Sequence, residues 1–169
     1  MAVTIVGNNT PTAGGIGYGD GTNLAFTTAG TSGQILSSNS TSAPSWTSTL
    51  TSPTLNAPTI TNYTESVVAI GTVTSSSTIS LTNGTVQTAT LTASTACTFT
   101  MPTATAGKSF ILLLKQAAST GNGTATFTGV KWPTAGAPTI TATAGSMDIL
   151  SFVSDGTNWY GSYIQGYTP

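Results

Sequence analysis

Along residues 96–101 apolar and polar positions alternate: Cys97, Phe99 and Met101 lie on one side, Thr98 and Thr100 on the other. A period of two marks a strand with one buried and one wet face. The same reading predicts strands at roughly 66–74, 77–82, 85–93, 96–101, 108–117, 124–130, 138–143, 147–154 and 157–165, all short and rich in β-branched residues. Asn83-Gly84, Gly121-Asn122-Gly123 and Asp155-Gly156 sit between strand candidates and supply the positive φ angles of tight hairpins. No helical period appears. The expected fold class is therefore all-β, with a jelly-roll-like β-sandwich over 66–169.

Phe110-Ile111-Leu112-Leu113-Leu114 breaks the alternation, because both of its faces are apolar. Such a strand needs cover on two sides. Self-association, usually in a symmetric oligomer, is the simplest cover, and a loop of the same chain is the competing one. The single cysteine, Cys97, has no partner for a bridge within the chain and reads as a small buried hydrophobe.

Before Glu65 the pattern thins. Gly14-Gly15-Ile16-Gly17-Tyr18-Gly19-Asp20-Gly21 does not sustain a helix, since each Gly costs about 1 kcal/mol there. The apolar residues Ile16, Tyr18, Leu24, Phe26, Ile35, Leu36 and Trp46 are too sparse to close a core and too many for a free linker. Residues 1–48 are thus expected to be an extended arm that lies on another surface, with the alternating glycines packed closely against another chain. Over 49–65, Pro53-Thr54-Leu55 and Pro58-Thr59-Ile60 repeat a Pro-Thr-aliphatic unit, with Leu50 one period earlier. Prolines at that spacing forbid helix and central strand. The segment reads as an extended stalk. A single copy would expose Leu50, Leu55, Ile60 and Tyr63; three copies wound together would bury them. A semi-rigid Pro-rich linker is the alternative.

Composition narrows the function. Only 4% of the 169 residues are charged, while 38 Thr and 20 Ser are present, so hydroxyls solvate this protein. There is no His and no Arg; the ions are Lys108, Lys115, Lys131, Asp20, Glu65, Asp148 and Asp155. A basic face for nucleic acid is missing. No apolar run reaches membrane-span length, and Met1–Thr10 lacks the charged start and apolar core of a secretory leader, so a soluble product without a membrane partner is expected. Thr105-Ala106-Gly107-Lys108-Ser109 ends like a phosphate-binding loop, but Pro102 stands where the first Gly belongs and a β-run follows. The acids are scattered, with no base beside them. No catalytic residue, metal site or cofactor is expected. Trp159, Tyr160 and Tyr163, with Trp132 earlier, would stack on sugar rings if exposed together. Otherwise Trp159 and Tyr163 fill the core and Tyr160 meets a subunit contact.

The stretch from Pro11 to Thr22, continuing through Ala29-Gly30-Thr31-Ser32-Gly33-Gln34-Ile35-Leu36 to Ala43-Pro44-Ser45-Trp46, resembles a module near the starts of tailed-bacteriophage virion proteins. The Pro53–Ile60 repeat is similar to short stalks of phage fibres. Val130-Lys131-Trp132-Pro133 and Asp148–Gly161 resemble the closing hairpins of trimeric phage β-knobs. The resemblance implies a non-enzymatic virion protein, made in the host cytoplasm: a homotrimer with a particle-binding arm and an outward knob. Short length and a single knob are more similar to a capsid decoration, or cement, protein, whose partner is the major capsid protein or another virion protein. The alternative is a tail fibre or receptor-binding knob meeting host glycan through Trp159, Tyr160 and Tyr163.

Overall fold

A computed structural model describes residues 12–51 and 53–169; the start of the expected arm and Ser52 of the stalk lie outside them. The described residues are all-β, with no helix and several separate sheets. The chain divides into two compact units, Met1–Thr59 and Ile60–Pro169.

In the first unit β1 (Gly17–Gly19) pairs antiparallel with β2 (Leu24–Phe26), and β3 (Ile35–Asn39) with β4 (Ser42–Thr47). The described part of the arm is thus two hairpins instead of one extended run. Chain reversal at Asp20-Gly21 and at Ser40 explains the difference. Asp20 Oδ1 accepts from the Thr22 and Asn23 N–H groups at 2.8 and 2.6 Å, and Gly21 takes a φ of 95°. Ser40 takes a φ of 60° beside Asn39, whose side chain donates to the Ala43 carbonyl at 2.7 Å. The described stalk residues, 49–51 and 53–65, contain no strand.

The second unit comprises β5 (Val67–Val73), β6 (Ser76–Thr78), β7 (Val86–Leu91), β8 (Ala96–Thr100), β9 (Ser109–Lys115), β10 (Thr124–Thr128), β11 (Val130–Lys131), β12 (Met147–Ser154) and β13 (Trp159–Tyr167). One sheet has the order β11-β13-β12-β9-β7-β5, the other β10-β8-β6. From β5 to β10 the chain changes sheet after every strand and returns beside the strand it left, in parallel. This winding is solenoid-like. It departs from the antiparallel pairing of the expected jelly roll, which appears only where β12 joins β9 and β13. Parallel neighbours need a crossover, and from β5 to β10 each crossover is a strand of the facing sheet; β11 and β13 also pair in parallel, their connecting strand β12 lying in the same sheet.

Consequently only Asp155-Gly156 makes the hairpin expected of it. Asn83-Gly84 and Gly121-Asn122-Gly123 are corners between sheets. Two buried glutamines hold those corners. Gln87 donates to the Ser80 and Gly84 carbonyls at 2.7 and 3.0 Å. Gln116 donates to Gly123 and Thr141 carbonyls, both at 2.8 Å, and accepts from the Gly123 N–H at 2.9 Å. Residues 138–143, expected as a strand, form none. Their backbone is engaged elsewhere: Thr141 N–H by Asp148, the Thr141 carbonyl by Gln116, and the Ala142 carbonyl by the Asn122 N–H.

The core lies between the two sheets. Ala89 and Leu91 from β7, Phe110, Leu112 and Leu114 from β9, and Leu150 and Phe152 from β12 meet Cys97, Phe99 and Phe127 from the other sheet. Phe110 stacks on Phe152 at 4.6 Å between centroids, and Phe99 on Phe127 at 5.3 Å. Cys97 is buried, and its Sγ donates to the Val73 carbonyl at 3.1 Å. Asp148, on the inward side of β12, is buried as well.

Candidate functional site

The described acidic side chains each make hydrogen bonds within the chain. Among the described residues no group of three or more His, Cys, Asp or Glu gathers to hold a metal, and no helix is long and apolar enough to cross a membrane. Three carboxylates are held by structural partners. At Asp20, the Asn23 and Thr22 N–H groups hold the carboxyl below its ordinary range. At Asp155 the Asn158 and Thr157 N–H groups do the same, and the carboxylate pushes the Tyr160 phenol up through a 3.0 Å hydrogen bond. For Asp148, burial alone would raise the pKa. Hydrogen bonds from the Thr141 and Gly166 N–H groups, with the Thr141 and Gln165 side chains, outweigh it and hold the group low. Asp148 therefore ties β12 to the end of β13 and to the 139–141 segment.

What remains is surface. Among the described residues of the first unit no apolar side chain is buried, and Thr27 is the one buried residue. Ile16, Leu24, Ile35 and Leu36 are each about 40% exposed, and Tyr18, Phe26 and Trp46 are half-buried. Trp46 is the local organiser. Its ring lies against Gly30, where an added Cβ would come within 2.6 Å, and its Nε1 donates to the Thr28 carbonyl at 2.8 Å. Tyr18, Phe26 and Trp46 line one shallow concavity with Thr27 and Pro44. Of the stalk residues, Leu50, Leu55, Ile60 and Tyr63 are all exposed, at 55–67%.

The three aromatics of the glycan alternative are not brought together. Trp159 is buried, donates from Nε1 to the Pro102 carbonyl at 2.8 Å and packs edge-on to Phe110, which removes it from a glycan-contacting set. Tyr163 is half-buried against Trp132, and only Tyr160 is exposed. Trp132 itself packs on Phe127 and Phe152 and covers Gly161.

Sequence reasoning passed over Gln87 and Gln116 and assigned Asp148 to a strand edge, whereas Asp148 is buried on the inward side of β12, between β13 and β9. In a chain with so few long polar residues, a Gln or Asp inside an apolar alternation was the available signal. Comparison with protein-family models, with curated proteins and with solved structures finds no match.

Proposed function

We propose that this chain is a non-enzymatic structural protein of a tailed-bacteriophage virion, a homotrimeric capsid decoration protein whose first unit clamps neighbouring capsid subunits. In this reading the second unit is an outward β-knob, its two facing sheets wound as coils in place of the jelly roll. The stalk winds around the threefold axis and buries Leu50, Leu55, Ile60 and Tyr63.

One observation carries the proposal: the first unit keeps its large apolar side chains at the surface and buries none among its described residues. A two-stranded hairpin is marginal in water, so such a unit gains stability from a partner that supplies the missing wall. Each hairpin is a separate two-stranded sheet, so each has edges able to accept a partner strand by main-chain hydrogen bonding. Three such arms on one trimer act at high effective concentration.

The attachment so formed is apolar, with Asp20 the only ionic side chain among residues 12–59. It therefore resists salt, because screening acts on charges. Sedimenting particles with bound protein at low and at molar salt tests this. Retention in both conditions is expected; stripping by molar salt contradicts the clamp.

A further inference from the structure

The second unit has two outward sheet faces, and they differ sharply in chemistry. On the three-stranded sheet, register places Thr124 beside Ala96, Thr126 beside Thr98 and Ser76, and Thr128 beside Thr100 and Thr78. That face is hydroxyl-covered and shows how this chain wets a sheet without charge. Every large apolar side chain exposed from Val67 onward lies on the opposite face, that of the six-stranded sheet: Val67, Ile111, Val153, Tyr160, Ile164 and Tyr167.

Register makes these six one surface. Val67, Val86, Ile111, Ser151 and Ser162 form one row across the sheet. Ala69, Thr88, Leu113, Ile149 and Ile164 form the next. Val153 pairs with Tyr160 at one end and Met147 with Tyr167 at the other. A groove of about 460 Å³ runs between Ile111, Val153 and Tyr160, edged by Glu65. Two charged side chains stand on this face in the paired rows, at its opposite ends: Lys115 beside Met147, and Lys131 beside Tyr160.

We propose that this outer face of the six-stranded sheet is where copies of the chain associate. The inference rests on the homotrimer of the proposed function and names its knob interface. Area favours a second copy as occupant. Six side chains of these sizes, about half exposed, present on the order of 500 Å² of apolar surface. The small Thr, Ser and Ala residues between them extend the face toward the roughly 800 Å² per partner of a stable interface. Charge does not oppose it: the two lysines lie at the ends of the face and Glu65 edges its groove, so a second copy brings both signs and leaves the centre uncharged. The same face explains why Phe110–Leu114 is apolar on both sides, since Ile111 and Leu113 point outward from a core-forming strand.

The test is the mass in solution of the full chain and of Val153→Lys/Ile164→Lys, with Thr126→Lys on the hydroxyl face as control. The wild type and the control are expected at three times the 16.9 kDa chain mass. The double variant is expected at a single chain mass with an unchanged far-ultraviolet spectrum, its association weakened at least about 100-fold. A double variant that keeps the wild-type mass overturns the inference and leaves the virion reading and a stalk-held trimer standing. A wild type of single-chain mass overturns both this inference and the homotrimer.

If the double variant fails to fold, maleimide labelling decides, because Cys97 is buried. Ile164→Cys is expected to react at least about tenfold more slowly than Thr126→Cys where the wild type is associated. Equal rates overturn the inference. So does slowing of Ile164→Cys on particles alone, which would assign the face to another virion protein.

Discussion

The same tetrapeptide occurs in both units and makes the same turn. Asp20-Gly21-Thr22-Asn23 and Asp155-Gly156-Thr157-Asn158 each have the Asp Oδ1 accepting from the second and third following N–H groups. In each, the Asp N–H returns to the Asn carbonyl, and the Gly φ is near 100°. The strands beyond them fare differently. Gly17–Gly19 and Leu24–Phe26 form an isolated pair with no buried apolar residue, whereas Met147–Ser154 and Trp159–Tyr167 join six strands over an aromatic core. Turn chemistry thus dictates where the chain reverses. Burial decides whether the result stands alone.

The widest separation between the units comes from placing a carboxylate at equivalent apolar positions. Leu112 has no exposure, so Leu112→Asp strands an unpaired charge at a cost of several kcal/mol and should abolish the cooperative thermal melt. Leu36 is 41% exposed, and Leu36→Asp should move that melt by no more than about 0.5 kcal/mol. Equal damage from the two would erase the distinction.

Next in size is Asp148→Ala, which leaves the Thr141 and Gly166 N–H groups without their acceptor and should cost about 2–4 kcal/mol in denaturant unfolding. Its pH dependence has a definite sign. The folded-state pKa lies below the unfolded value of about 3.9, so the wild type's advantage is complete above that value. It disappears as pH falls through the lowered folded value, and the variant's stability should converge on the wild type's there.

Gln116→Ala removes three hydrogen bonds from one corner of the winding and should cost about 1–3 kcal/mol. Smallest on the melt is Trp46→Ala. It should change the second unit's stability by less than about 0.5 kcal/mol while lowering retention on particles at least about tenfold. Normal retention of Trp46→Ala would remove the main support for the first unit as the attachment element.

Much of the second unit was legible because its alternation is strong. Met147–Ser154 matches the expected 147–154, and Ala96–Thr100 and Ser109–Lys115 fall within the expected ranges. The sheet order was not legible. A glycine corner between two sheets and a glycine hairpin within one sheet share the same local chemistry, and what separates them is the long-range pairing of β7 with β5 and β9. Residues 138–143 misled for a related reason. Their apolar alternation is real, with Pro138 and Ile140 buried, but buried side chains claim the backbone groups that a neighbouring strand would use.

In the first unit, sparse apolar residues implied the lack of a core, and that lack is observed among the described residues. The two hairpins were missed, although Asp20-Gly21 carries the same turn signal that was recognised at Asp155-Gly156. Of the candidate surfaces, the exposure of Ile111 followed from its strand. The gathering of Val67, Val153, Tyr160 and Ile164 beside it depended on register across strands far apart in sequence.

Hydrogen exchange on the isolated full-length protein reads both units at once. Amides of Gly17–Gly19, Leu24–Phe26, Ile35–Asn39 and Ser42–Thr47 should exchange at least about 100-fold faster than those of Ser109–Lys115 and Met147–Ser154. Comparable protection in the two sets would mean that the first unit is held without a partner, and would contradict the account.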